Sequence, residues 1–106
     1  CHTGSVSCFA PWLWRRVRER AETMPEGSYV AGLLRGGPGA TAQKLGEEGV
    51  EAAIAVAAED DEGVVAEIAD LWFASYVALA ARGLDPAAVE EELARRATRS
   101  RPDDRS

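Results

Sequence analysis

Four acidic side chains stand in two pairs, each three residues apart: Glu48 and Glu51 in Lys44-Leu45-Gly46-Glu47-Glu48-Gly49-Val50-Glu51, and Glu67 and Asp70 in Glu67-Ile68-Ala69-Asp70. On a helix, residues at that spacing share a face about one turn apart. Glu51 and Glu67 are separated by fifteen residues centred on a turn near Ala58 to Asp61. If the flanking segments are antiparallel helices, the pairs arrive at roughly equal height and the four acids converge. Such a cluster repels itself in a low-dielectric groove unless cations neutralise it, and hard oxygen donors suit magnesium or manganese. Magnesium held by a few carboxylates keeps several waters, so it can bridge to phosphate and lower the pKa of a bound water. That is the chemistry of phosphoanhydride hydrolysis. The bland alternative, that these glutamates are solvated helix faces, is weaker for Glu67 and Asp70, whose neighbours Ile68, Leu71 and Trp72 are apolar.

Helical patterning supplies the elements that would position these acids, and no strand of useful length is present. Residues 12–23 place Leu13, Val17 and Ala21 four apart among arginines, a basic amphipathic helix. Residues 24–27 break it. Ser28 caps a short helix over residues 29–34, and Gly36, Gly37, Pro38 and Gly39 stop it. Residues 40–58, rich in alanine and glutamate, predict a first long helix, and residues 61–82, opened by Asp60 and Asp61, predict a second and more apolar one with Val64, Ile68, Leu71, Trp72, Tyr76 and Leu79 at helical spacing. Gly83 ends it, and Asp85-Pro86 opens a last helix reaching about Arg96. The expected organisation is residues 1–10 as a separate motif, 11–27 as a linker helix and break, 28–97 as the functional domain, and 98–106 as a disordered tail. A single copy would leave the apolar face from Val64 to Leu79 poorly covered, so a homodimer is expected.

Gross composition narrows the partners. A 106-residue chain has room for one domain of marginal monomer stability. Its net charge of -6 argues against a nucleic-acid or anionic-membrane binder, because such proteins display a basic face. Trp12, Trp14 and the arginines from Arg15 to Arg20 therefore read as a linker helix packing its tryptophans, not as a nucleic-acid patch. No apolar run approaching the roughly 20 residues of a membrane span is evident, and no signal peptide, so the expected compartment is the cytosol. The first residue is Cys1, which reads as a fragment. Cys1 and Cys8 are too few and too local to staple a fold.

The set Ser28-Tyr29, Gly37-Pro38, Lys44-Leu45-Gly46-Glu47-Glu48, Glu51, Glu67-Ile68-Ala69-Asp70-Leu71 and Ala80-Ala81-Arg82-Gly83-Leu84 resembles the phosphoribosyl-ATP pyrophosphatases of histidine biosynthesis, a branch of the all-α, MazG-like pyrophosphohydrolases. The likeness covers about two thirds of the chain. It implies an all-α antiparallel helical bundle and magnesium-dependent hydrolysis of the α-β anhydride of phosphoribosyl-ATP to phosphoribosyl-AMP and pyrophosphate. By the same resemblance Glu48, Glu51, Glu67 and Asp70 would be the metal ligands. Glu47 would orient the attacking water or serve as an outer base, and Lys44 would stabilise developing phosphate charge. Where relatives carry a lysine just before the turn glycine, this chain has Gly36, with Arg35 one step earlier as the available phosphate-binding cation. Ala57 and Ala74 stand where a lysine and a histidine are common. With fewer cations, reduced activity or a different nucleotide is expected. A house-cleaning nucleoside triphosphate pyrophosphatase and a catalytically silent dimerisation module are the alternatives.

The segment from Cys1 to Phe9 is similar to the end of phosphoribosyl-AMP cyclohydrolase, where two cysteines at this spacing bind zinc. Tetrahedral sites want three or four protein ligands, so Cys1 and Cys8 are at most vestigial ligands, and zinc is not expected in this fragment.

Overall fold

The computed structural model describes residues 9–98, which form five helices with no strand among them. The expectations for Cys1, Cys8 and residues 99–106 lie outside the described residues.

Helix α1 (Phe9–Thr23) carries Pro11 in its first turn, where the absent N–H has no partner to lose. Helix α2 (Tyr29–Arg35) is capped by Ser28, whose Oγ accepts from the Ala31 N–H at 3.2 Å. Helix α3 (Gly37–Ala58) begins three residues ahead of the expected residue 40. Gly36 closes α2 and opens α3 at once, Gly37 takes a φ of +86° that redirects the chain, and Pro38 occupies the first turn. The Gly-Pro-Gly run therefore starts the long helix as well as ending the short one.

After a turn at Glu59 and Asp60, helix α4 (Asp61–Ala81) runs back along α3, the most extensive helix pairing among the described residues. Asp60 caps α4 by accepting from the Gly63 N–H at 2.9 Å. At the other end Gly83 has φ +68°, and the Leu84 and Gly83 N–H groups donate to the carbonyls of Leu79 and Ala80, a Schellman closure. Helix α5 (Pro86–Ala97), capped by Asp85, buries none of its residues.

The core is displaced toward one end of the α3–α4 pair. Val17 of α1, Val30 of α2 and Val77 of α4 form its centre, packed by Leu13, Trp14, Leu33, Leu34, Phe73, Tyr76 and Ala80. Trp14 meets Tyr76 edge-on at 5.9 Å between centroids. Helix α1 is thus part of the core. The inward line of α4 is Ala74 and Val77, both buried, whereas Trp72 of the expected apolar stripe is 65% exposed. With 100° per residue, Trp72 and Val65 fall on the flank opposite Asp70, Ala74 and Val77. Contrary to the sequence expectation, α4 is long and apolar enough to cross a bilayer by length and composition alone.

Candidate metal and phosphate site

Where the core ends, three carboxylates from the paired helices converge. Glu48 of α3 and Glu67 and Asp70 of α4 each offer an oxygen, and the three oxygens lie within 4.8 Å of one another. The antiparallel turn at residues 59–60 sets this height, and Glu48 faces inward because it shares a helical line with buried Thr41, Ala52 and Ala55.

Glu48 is buried, and Lys44, one turn earlier, pairs with its Oε1 at 3.1 Å. Its Oε2, and the Oε1 of Glu67, are buried without any hydrogen-bond partner. An unpartnered buried carboxylate oxygen is costly, and two of them aligned with a third acid match the hard oxygen donor set of a divalent cation. The residues present therefore fit the expected metal.

Electrostatics agree with the crowding. Burial first, then the charges of Glu51 and Asp70, hold the Glu67 carboxyl above the ordinary carboxylate range. The hydrogen bond to Glu48, followed by the nearby Tyr29 hydroxyl, holds the Lys44 ammonium above the usual lysine range. Lys44, Glu48 and Asp70 form the polar wall of a cleft of about 210 Å³, and Tyr29, Leu33, Phe73 and Ala74 form its apolar wall.

The remaining residues of interest are placed differently. Glu51 is exposed and stands outside the group of three, although its charge reaches Glu67. Glu47 is exposed and accepts a hydrogen bond from Gln43 Nε2 at 3.0 Å. Arg35 is turned to the preceding loop, donating to the carbonyls of Met24 at 2.8 Å and Pro25 at 3.4 Å. Gly36 and Ala57 contribute no cation, and Ala74 is a buried lining residue of the cleft. Phe73, not expected at the site from the sequence, also lines the cleft. Its spacing of three from Asp70 was the available signal.

The sequence model of the family described as "Phosphoribosyl-ATP pyrophosphohydrolase" matches residues 11–97. The chain belongs to that family. Among phosphoribosyl-ATP pyrophosphohydrolase relatives, the "Phosphoribosyl-ATP pyrophosphatase" of Methylobacterium nodulans is 49% identical over 88 residues, covering 83% of this chain and 82% of the relative. That of Ignicoccus hospitalis is 41% identical over 91 residues, 86% of this chain and 89% of the relative. The chain is also similar to the "Histidine biosynthesis bifunctional protein HisIE" of Thermotoga maritima, 40% identical over 111 residues, which cover 91% of this chain but 56% of that protein. It thus spans about half the length of that bifunctional relative. The family match includes α1, in keeping with its place in the core.

Proposed function

We propose that the chain hydrolyses phosphoribosyl-ATP to phosphoribosyl-AMP and pyrophosphate in histidine biosynthesis, with magnesium or manganese held by Glu48, Glu67 and Asp70. The observation that carries this reading is the meeting of three carboxylates, two of them with unpartnered buried oxygens, beside a lysine in a cleft.

A divalent cation bound there would neutralise phosphate charge and lower the pKa of a water. The protein's own groups divide the rest. Glu48, Glu67 and Asp70 fix the donor set from two helices, and Glu51, one turn along α3, completes it from the solvent side. Lys44 gives up part of its pairing with Glu48 to a phosphate oxygen and stabilises charge that grows as the anhydride opens. Glu47, at the exposed edge of the same helix, holds the attacking water and accepts its proton. Arg35 would join the phosphate only by leaving the carbonyls of Met24 and Pro25.

Val50 and Ile54 of α3 and Val65 and Trp72 of α4 are all more than half exposed. Water contact over so apolar a pair of helices is removed if two copies pack these faces together, so the active form is a homodimer in the cytosol. The segment from Cys1 to Phe9 would be the end of a cyclohydrolase zinc motif, a reading that rests on the spacing of Cys1 and Cys8.

The deciding experiment is pyrophosphate release from phosphoribosyl-ATP, with and without magnesium, set against a panel of ordinary nucleoside triphosphates. Release from phosphoribosyl-ATP that needs the metal and exceeds the panel supports the proposal. Equal turnover of the panel would favour the house-cleaning alternative, and no turnover of any of them the silent module.

A further inference from the structure

One helical turn past Asp70, α4 presents Phe73 and Ala74 to the same cleft as the carboxylates. Tyr29, the first residue of α2, lies against Phe73 with ring centroids 6.1 Å apart and ring planes at 33°. It remains 55% exposed, an aromatic surface left to solvent beside a polar cluster. We infer that Tyr29 and Phe73 form the seat of the substrate's purine base, which makes them specificity-determining residues. This rests on the reading of the chain as a nucleotide pyrophosphohydrolase.

Three observations orient the nucleotide. The cleft is graded in polarity: its Glu48 and Asp70 end suits cation-bridged phosphate, whereas seating an anion on Phe73, Leu33 and Ala74 would strip its water without replacement. A base loses little there, because every base has a π face that stacks on an aromatic ring. The register also fits. Residues three apart on a helix lie about 5–6 Å apart, so Phe73 stands beyond Asp70 by a distance that a ribose can bridge between its phosphate and its base. Lys44 lines the cleft with both groups, paired to Glu48 and interacting with the Tyr29 hydroxyl, where an α-phosphate extending from the acids toward the rings would meet it. At about 210 Å³ the cleft is smaller than the roughly 300–1,000 Å³ typical of sites enclosing a whole drug-sized ligand. It takes the base and the phosphate nearest it and leaves the remainder of the substrate in the open groove.

Binding of AMP and of ribose 5-phosphate to the manganese-saturated full chain isolates the base, since the two share sugar and phosphate. Calorimetry should show AMP bound roughly tenfold more tightly, the size that base–aromatic stacking supplies. Tyr29→Leu should bring the two affinities together while leaving manganese and pyrophosphate binding intact. Tyr29→Phe, which keeps the ring and loses the hydroxyl beside Lys44, should retain the preference. Phe73 packs on the core, so Phe73→Leu is read only after its thermal melt shows a folded protein, and it too should erase the preference. Equal affinities in the unaltered protein, an undiminished AMP preference in Tyr29→Leu, or a loss in Tyr29→Phe as large as in Tyr29→Leu would overturn the assignment. Absence of pyrophosphate release with the AMP preference intact would instead count against the pyrophosphohydrolase reading and leave the base seat standing.

Discussion

At the scale of single residues, Glu48 is the most consequential side chain, because it combines burial, a lysine partner and a bare oxygen. Glu48→Gln removes a buried charge but keeps a carbonyl oxygen for Lys44. Because Lys44 is partly exposed and can turn to water, and because one of three crowded carboxylates loses its charge, unfolding of the metal-free variant should occur at about the same temperature as the unaltered protein, while manganese affinity falls roughly tenfold or more and turnover is lost. Comparing melts with and without manganese checks both halves. Glu67 gives a pH dependence. Its carboxyl is raised, chiefly by burial, so the folded metal-free protein favours the protonated form. The associated stability is complete below the ordinary carboxylate pKa and is lost as pH rises through the raised value. Metal must displace that proton, so manganese affinity should climb over the same window and binding should release protons, measurable by titration in buffers of different ionisation enthalpy. Spacing in the chain made the pairs 48/51 and 67/70 legible. It did not set the phase of α3: Thr41, Glu48 and Ala55, seven apart, lie nearly in line and face inward, which leaves Glu51 rotated to the edge. Tyr29 and Phe73 could not be paired from sequence, since their contact depends on how α2 folds over α4.

Among the elements, the ends of the helices were readable because their caps are local chemistry. Ser28, Asp60 and Asp85 each accept the hydrogen bond expected of an N-cap. Gly83 ends α4 because φ of +68° is cheap only without a side chain. Gly83→Ala should therefore cost about 1–2 kcal/mol in denaturant unfolding and leave turnover at saturating substrate unchanged, since Gly83 lies away from the carboxylates. The start of α3 was less legible. A Gly-Pro-Gly run reads as a break, but proline is well placed in a first turn. The core face of α4 was harder still, as apolar residues surround this helix and periodicity cannot choose between Trp72 and Val77. The packing of α1 decides it.

For the whole molecule, a small core and a bare α3–α4 flank belong together. The largest fully buried side chains among the described residues are only Val17 and Val77, whereas Ile54 and Trp72 are more than half in water. On the proposed dimer, Trp72→Glu places a charge at the seam, so sedimentation velocity should show a shift from dimer to monomer and a lowered melting temperature. A monomeric unaltered protein would remove that proposal. The all-α architecture was legible from the alternation of helical patterns with caps, but the location of the hydrophobic centre was not, because it required knowing that the arginine-rich first helix turns Val17 and Trp14 toward Val77 and Tyr76.

That packing of α1 limits where this enzyme type can be cut or joined to another. A gene spliced at Ser28, the apparent edge of the motif-bearing region, would produce a protein lacking the lid over Val30 and Val77. Hybrid proteins built from this hydrolase must be stitched ahead of Phe9, so that the arginine-rich helix travels with it.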